Sequence, residues 1–98
     1  MDYKISLSTR AQEEIEKAID YYSLYSNDAP KHFITSLTQA YATLEKNPFF
    51  SLRYKNIRAL RLNRFPYLLY YVIDENQKTL RILSCFHAKR NPNKRPDK

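Results

Sequence analysis

The chain has 98 residues, 43% of them hydrophobic and 14% aromatic, which suits one small globular domain and excludes a disordered chain. Its single cysteine, Cys85, excludes an internal disulfide and fits a reducing cytoplasm. No signal peptide is visible, and the longest apolar run, residues 67–73, is too short to span a bilayer. We therefore expect one cytoplasmic domain over residues 1–92 that is not bound to a membrane, followed by a flexible basic tail at residues 93–98.

The net charge of +7 is unevenly distributed along the chain. Residues 1–49 hold five Lys or Arg and seven Asp or Glu, a net charge of −2, whereas residues 50–98 hold twelve and three, a net charge of +9. A basic excess confined to one half predicts a surface for an anionic partner. The alternative is that the basic excess only keeps the protein in solution and belongs partly to a disordered basic tail.

The first half predicts a strand and two helices. Residues 3–7 alternate as a strand does, and Thr9 with Gln12 forms a capping-box pattern for a helix that extends to about residue 26. "SNDAPK" interrupts the periodicity, and Pro30 suits the first turn of a second helix that ends before Pro48. The acids of the first helix fit a solvated face: Glu13, Glu14, Glu16 and Asp20.

The second half predicts three strands, at residues 57–62, 67–74 and 79–87. The loop between the last two strands has no glycine, so Asp74 and Asn76 are expected to adopt its unusual backbone angles. The fold class is α+β, with the order β-α-α-β-β-β. A helical hairpin packs on one face of a mostly antiparallel four-stranded sheet.

Strict alternation in the last strand assigns its side chains to two faces. Leu80, Ile82, Ser84 and Phe86 suit the face under the helices, which leaves Arg81, Leu83, Cys85 and His87 on the open face. Arg61 joins them from the neighbouring strand, and arginine suits phosphate oxygens. The candidate catalytic residues, if the protein is a nuclease, are Arg61, Arg81 and His87. The candidate nucleic-acid or target-binding residues are Arg53, Lys55, Arg58, Lys89 and Arg90.

Other kinds of site have no support in the sequence. There is no Cys/His cluster of the kind that binds zinc and no glycine-rich loop for nucleotides, so we expect neither a metal nor a cofactor. A lone histidine at the end of a strand is more often a surface residue than a catalyst. The open-face site is therefore predicted only from the combination of its cations.

Three motifs in order resemble the RelE/ParE superfamily of toxins from type II toxin–antitoxin systems. "YKISLSTRAQEEIEKAIDYY" resembles the family's first strand and helix, and "LEKNPFFSLRYKNIRALRLNRFPYLLYYVID" resembles its middle. "ILSCFHAKRNP" resembles the closing His-x-x-Arg-x-Pro motif, here at His87, Arg90 and Pro92. The resemblance implies a toxin that arrests growth until an acidic antitoxin covers its basic face and sheet edge in a heteromeric complex.

The resemblance leaves the target open between DNA gyrase and ribosome-bound mRNA. RelE-like members cut mRNA on the ribosome without a metal, whereas ParE-like members poison gyrase. This sequence has Leu68 where the nuclease pattern usually has an arginine, and Arg95 where a tryptophan commonly follows the closing motif. Leu68, together with the long helical hairpin and the closing motif, favours the ParE-like branch slightly. A third alternative is a non-toxic RNA- or protein-binding module on the same fold.

Overall fold

The computed structural model describes residues 2–50 and 52–88. Seven elements follow one another along the chain. They are β1 (Lys4–Leu7), α1 (Thr9–Ser23), α2 (Ala29–Lys46), β2 (Leu52–Tyr54), β3 (Ile57–Arg61), β4 (Tyr67–Asp74) and β5 (Thr79–His87).

The strands form one mixed sheet in the order β1-β5-β4-β3-β2. The α+β class and the predicted order are confirmed, but the sheet has five strands rather than four. β1 runs parallel to β5, and the other neighbouring pairs are antiparallel. The additional strand, β2, has only three residues, all exposed, so no alternation of apolar and polar residues marks it in the sequence.

Local chemistry fixes the ends of both helices. Ser8, rather than the expected Thr9, caps α1, since its hydroxyl oxygen accepts a 3.0 Å hydrogen bond from the Ala11 amide. Pro30 lies in the first turn of α2, where a missing N–H costs nothing. Asn47 adopts an extended backbone before Pro48, so the chain leaves the helix there as predicted.

The main core lies between the helical hairpin and one face of the sheet. α1 contributes Ala11, Ile15 and Ala18, and α2 contributes a stripe centred on Phe33 and Leu44, both fully buried. The helices therefore cover this face, here called the helix face. The residues buried there from the strands, and from the start of the β3–β4 connection, are Leu62, Tyr67, Leu69, Tyr71, Leu80, Ile82 and Cys85.

A β-bulge in β5 changes which residues lie on the helix face. Ile82 pairs with Tyr71 and Ser84 pairs with Tyr70, so Leu83 is an extra residue in β5. Alternation therefore restarts after Leu83. Cys85 lies in the helix-face core, whereas Phe86 packs in a separate cluster on the opposite face.

Turns are made without glycine by residues other than those expected. The left-handed backbone angles occur at Lys55, Arg64 and Lys78, with φ of 50°, 74° and 53°. The expectation for Asp74 and Asn76 is therefore wrong, although the Asp74 carboxylate does accept a 3.1 Å hydrogen bond from the Gln77 amide within the loop. Neither helix in the described part of the chain has the length and apolar character to cross a membrane.

Candidate functional site

Arg61 and Arg81 both lie on the face opposite the helices. Arg61 pairs with Leu68, and Arg81 pairs with Val72 on β4 and with Ser6 on β1. Paired residues share a face, and these positions alternate with the helix-face core residues. Both arginines are exposed, as the sequence predicted.

The two arginines are nevertheless well separated. Leu68 and Val72 are four residues apart on β4, about 13 Å at ~3.3 Å per residue, and β3 and β5 are two strand spacings apart, about 10 Å. The Cα atoms of Arg61 and Arg81 are thus about 16 Å apart, on opposite sides of β4. They do not form an adjacent pair on the sheet.

His87 lies on the other face of the sheet. It pairs with Tyr67, a buried residue of the helix-face core, and the two rings meet edge to face with centroids 5.0 Å apart. The prediction that His87 shares a face with Arg81 is therefore wrong, because the bulge at Leu83 shifts the alternation by one residue. The three candidate catalytic residues are not brought together.

The centre of the face opposite the helices is apolar. Ala59, Tyr70 and Phe86 form a buried cluster there, with Ile57 and Leu68 packed against it. Tyr70 and Phe86 are each only 2% exposed, so their ring surfaces are not an open platform for stacking on bases. The sequence predicted Phe86 under the helices, and this prediction is wrong. The bulge at Leu83 moves Phe86 to this face, as it moves His87 to the helix face.

The binding candidates of β2 and β3 gather at the hairpin between those strands. Arg58 lies on the helix face, where its Nη1 donates a 2.6 Å hydrogen bond to the Phe50 carbonyl and its guanidinium stands 5.3 Å from the Phe49 ring centroid. This contact fixes the segment that leads into β2, so the Arg58 guanidinium serves the fold. Arg53 and Lys55 are exposed, and Lys55 Nζ lies 5.4 Å from the Tyr54 ring centroid.

A surface cavity of about 280 Å³ lies beside these groups. Lys55 and Arg58 line it together with the carboxylate-bearing Glu75. The remaining lining residues are Phe49, Leu52, Asn56 and Ile73. The candidates Lys89 and Arg90, and the predicted tail at 93–98, lie outside the described residues.

Glu14 binds strand β5, a role that its position among the other acids of α1 did not indicate. The Glu14 Oε1 atom accepts hydrogen bonds from the Ser84 hydroxyl at 2.7 Å and from the Cys85 amide at 3.1 Å. Glu14 therefore does not belong with the solvated acids of α1. The sequence signal was Ser84, a hydroxyl inside an apolar strand that needs a partner once it is buried.

Ser8 and Glu14 together close the edge of β5 beyond the end of β1. The Ser8 amide donates to the Ile82 carbonyl at 2.9 Å, and its hydroxyl donates to the Leu83 carbonyl at 2.8 Å. With the Cys85 amide bound by Glu14, the side chains of the first turns of α1 replace a missing strand.

Burial changes the acidity of two groups in the interior, Cys85 of β5 and Tyr41 of α2. It raises the pKa of the Cys85 thiol to about 12, with a further contribution from the Glu14 carboxylate. It also raises the pKa of Tyr41 to about 12, and Cys85 adds to that shift. Cys85 is therefore a neutral, unreactive thiol at physiological pH. Within residues 2–50 and 52–88, no group of His, Cys, Asp and Glu side chains has the arrangement of a metal site.

A family model for the ParE toxin of the type II toxin–antitoxin system parDE matches residues 5–92. The chain belongs to the ParE toxin family. It is thus the toxin component of a type II toxin–antitoxin system, and the resemblance read from the sequence is confirmed. No curated protein sequence matches it.

Solved structures of toxin–antitoxin systems share the fold of this ParE-family chain. The chromosomal ParDE system of P. aeruginosa matches with a TM-score of 0.71 and 14% identity, covering 89% of this chain and 97% of that one. The RelBE2 complex of Mycobacterium tuberculosis matches with a TM-score of 0.63 and 22% identity, covering 89% of this chain and 99% of that one. The intact E. coli RelBE complex matches with a TM-score of 0.64 and 17% identity, covering 90% of this chain and 99% of that one.

The family match settles the class of protein, and the neighbouring structures support an antitoxin partner. At these identities the structural likeness is a likeness of fold. ParDE and RelBE complexes are both among the neighbours, so these structures do not distinguish between the two possible targets.

Proposed function

We propose that this ParE-family toxin arrests growth by poisoning DNA gyrase and is neutralised by an acidic antitoxin. The observation that carries the proposal is the dispersal of the candidate nuclease residues. Arg61 and Arg81 flank an apolar centre about 16 Å apart, and His87 packs on Tyr67 on the other face. Phosphoryl transfer depends on groups positioned around one phosphate, which these three residues do not surround.

The apolar centre supports the same conclusion. Leu68 occupies the position at which the nuclease pattern usually has an arginine, and it packs against the cluster of Ala59, Tyr70 and Phe86. Loss of a charge-stabilising group from a reaction of this kind costs several kcal/mol of barrier. A toxin that acts by binding a protein target does not need that group.

Gyrase supercoiling tests the proposal. Purified toxin is added to gyrase, ATP and relaxed plasmid, and the topoisomers are separated on a gel. Inhibition at toxin concentrations near that of gyrase supports the proposal, and restored supercoiling after antitoxin is added shows specificity. Unchanged supercoiling, with the same preparation arresting growth in cells, would overturn it.

Ribosome-dependent mRNA cleavage is the second candidate function. Arg61 and Arg81 are both exposed on one sheet face, and each could contact RNA phosphates separately. Programmed ribosomes incubated with the toxin then yield cut mRNA. The alanine variant at Arg61, Arg81 and His87 would retain its fold and lose cutting, whereas full toxicity of that variant would rule out this site.

The antitoxin interface should depend on salt. The half of the chain from residue 50 carries a net charge of +9, so an acidic partner is attracted over a long range. Raising the salt concentration from 50 to 500 mM, on the order of a threefold shorter Debye length, should slow association. An affinity that is independent of salt would instead indicate an interface dominated by apolar contacts.

A further inference from the structure

Exposed polar side chains gather where β1 lies beside β5. Lys4 and Ser6 are exposed in β1, the edge strand, and Arg81 is exposed in β5. Ser6 pairs with Arg81, so the two share the face opposite the helices. Lys4 shares that face too, because it lies two residues from Ser6 on the same strand. These three residues are here called the β1–β5 corner.

The corner places two cations and a hydroxyl within a short distance of one another. Ser6 and Arg81 are neighbours across the strand pair, about 5 Å apart, and Lys4 lies about 6.6 Å from Ser6 along β1. The Cα atoms of Lys4 and Arg81 are thus about 8 Å apart. β1 is bound to β5 at both ends, by hydrogen bonds of 3.0 Å from the Lys4 amide and 2.9 Å from the Ser8 amide. The sheet therefore holds this spacing.

The charges of the corner are not neutralised within residues 2–50 and 52–88. Neither Lys4 nor Arg81 forms an ion pair there, and the Ser6 hydroxyl has no hydrogen-bond partner among these residues. Asp74 of β4 lies on the same face, diagonal to Arg81 at about 8 Å, and its carboxylate accepts a hydrogen bond from an amide of the β4–β5 loop. The corner thus presents two positive charges and a hydroxyl to an anionic partner.

The surroundings of the corner indicate the class of that partner. None of the large apolar side chains exposed in the described part of the chain belongs to β1 or β5. A protein partner gains most of its affinity from such anchors, whereas a DNA backbone is held by charge and hydrogen bonds. Single strands stack on exposed rings, but Tyr70 and Phe86 of this face are buried. The corner therefore fits the phosphate backbone of a duplex.

We propose that the β1–β5 corner binds the phosphate backbone of duplex DNA. Lys4 and Arg81 contact phosphate oxygens, and the Ser6 hydroxyl donates a further hydrogen bond, as these residue types do at DNA backbones. The inference rests on the proposed poisoning of gyrase and goes beyond it, because the duplex is the DNA on which gyrase acts. Contacts to the backbone alone carry no sequence information, so the toxin binds that DNA without sequence preference.

Matched variants separate a local contact from a change of net charge. The double variant Lys4→Gln with Arg81→Gln removes both cations of the corner. The double variant Lys17→Gln with Lys31→Gln removes two exposed cations from the helices, which cover the other face. Ser6→Ala removes the hydroxyl and leaves the charge unchanged. All five positions are exposed, and circular dichroism checks that each variant keeps the fold.

The affinity of each protein for a short labelled duplex is measured by fluorescence anisotropy at several salt concentrations. Each phosphate contact adds about 0.9 to the slope of log affinity against log salt. From 50 to 200 mM salt, the unmodified toxin should therefore lose about 12-fold more affinity than the corner double variant. The helix double variant should keep the slope of the unmodified toxin. Ser6→Ala should weaken binding by about threefold at every salt concentration, because a hydroxyl releases no counterion.

Three results would overturn the inference. Equal slopes for the two double variants would show that the corner makes no phosphate contact of its own. Tighter binding of a single-stranded RNA of the same length would assign the surface to RNA. Weakened antitoxin binding by the corner double variant, with unchanged DNA binding, would assign the corner to the antitoxin.

The gyrase supercoiling assay separates this inference from the proposed function. The corner double variant should need more toxin than the helix double variant to inhibit gyrase. If both inhibit equally and bind DNA equally, the proposed function stands and the DNA contact is refuted. If the unmodified toxin leaves gyrase untouched but its DNA binding depends on Lys4 and Arg81, the proposed function fails and the DNA contact stands.

Discussion

The hydrogen bonds of Glu14 give the sharpest test of how the sheet is held in place. Replacing Glu14 by alanine removes the acceptor of the Ser84 hydroxyl and of the Cys85 amide. Ser84 is 0% exposed and Cys85 is 2% exposed, so both donors would be left without a partner in a nearly dry site. An unsatisfied buried donor costs about 1–3 kcal/mol.

The expected loss is below the sum of the two donors. The Glu14 side chain is 26% exposed, so water can enter the space it vacates and recover part of the hydrogen bonding. We therefore expect Glu14→Ala to lower the free energy of unfolding by about 2–3 kcal/mol. Glu14→Gln keeps an oxygen acceptor and should lose only about 1 kcal/mol.

Urea unfolding followed by circular dichroism measures these differences, with Glu13→Ala as the control. Glu13 is exposed on the same helix, so its replacement changes helix propensity and charge equally without touching β5. It should alter stability by no more than about 0.5 kcal/mol. Equal effects of Glu13→Ala and Glu14→Ala would refute the proposed role of Glu14 in closing the edge of β5.

Three further predictions concern other parts of the chain. Tyr71→Phe removes the hydroxyl that donates to the Pro48 carbonyl at 2.7 Å and should lower the free energy of unfolding by about 1–2 kcal/mol in urea titrations. Arg58→Met removes the hydrogen bond to the Phe50 carbonyl and the contact with Phe49, so hydrogen exchange in β2 should accelerate, and unchanged exchange would contradict the assigned contact. Stability should also fall as pH rises above the ordinary Cys85 pKa of 9.0 toward about 12, because the unfolded chain loses the thiol proton first and the folded chain keeps it. The slope from this group is at most about 1.4 kcal/mol per pH unit, and Cys85→Ala should make the decline shallower, whereas an identical decline in both proteins would show that Cys85 does not contribute.

The elements with strong periodicity were predictable from the sequence. The apolar stripe from Phe33 to Leu44 predicted helix α2, because a helix that packs on a sheet buries every third or fourth residue. Asn47 and Pro48 fixed its end. The two long strands β4 and β5 were found with their observed bounds. β4 is a continuous run of β-forming apolar residues, β5 begins with apolar and polar residues in alternation, and turn-forming residues separate the two.

The candidate site was less predictable because one residue changed its geometry. The bulge at Leu83 is stabilised by contacts of β5 with Ser8 and Glu14, which are distant in sequence. Nothing in the local pattern of β5 shows that alternation restarts there. Strict alternation therefore put His87 beside Arg81 and Phe86 under the helices, and both assignments were reversed. The exposure of Arg61 and Arg81, upstream of any bulge in their strands, was predicted correctly.

Covalent gyrase–DNA complexes measure the central claim most directly. Gyrase, supercoiled plasmid and purified toxin are mixed, the reaction is stopped with detergent, and linear DNA is counted after protease treatment. A gyrase poison raises the amount of linear DNA in proportion to toxin, and a stoichiometric amount of antitoxin returns it to the background. Linear DNA that stays at the background, while the same toxin cuts mRNA on programmed ribosomes, would contradict the account.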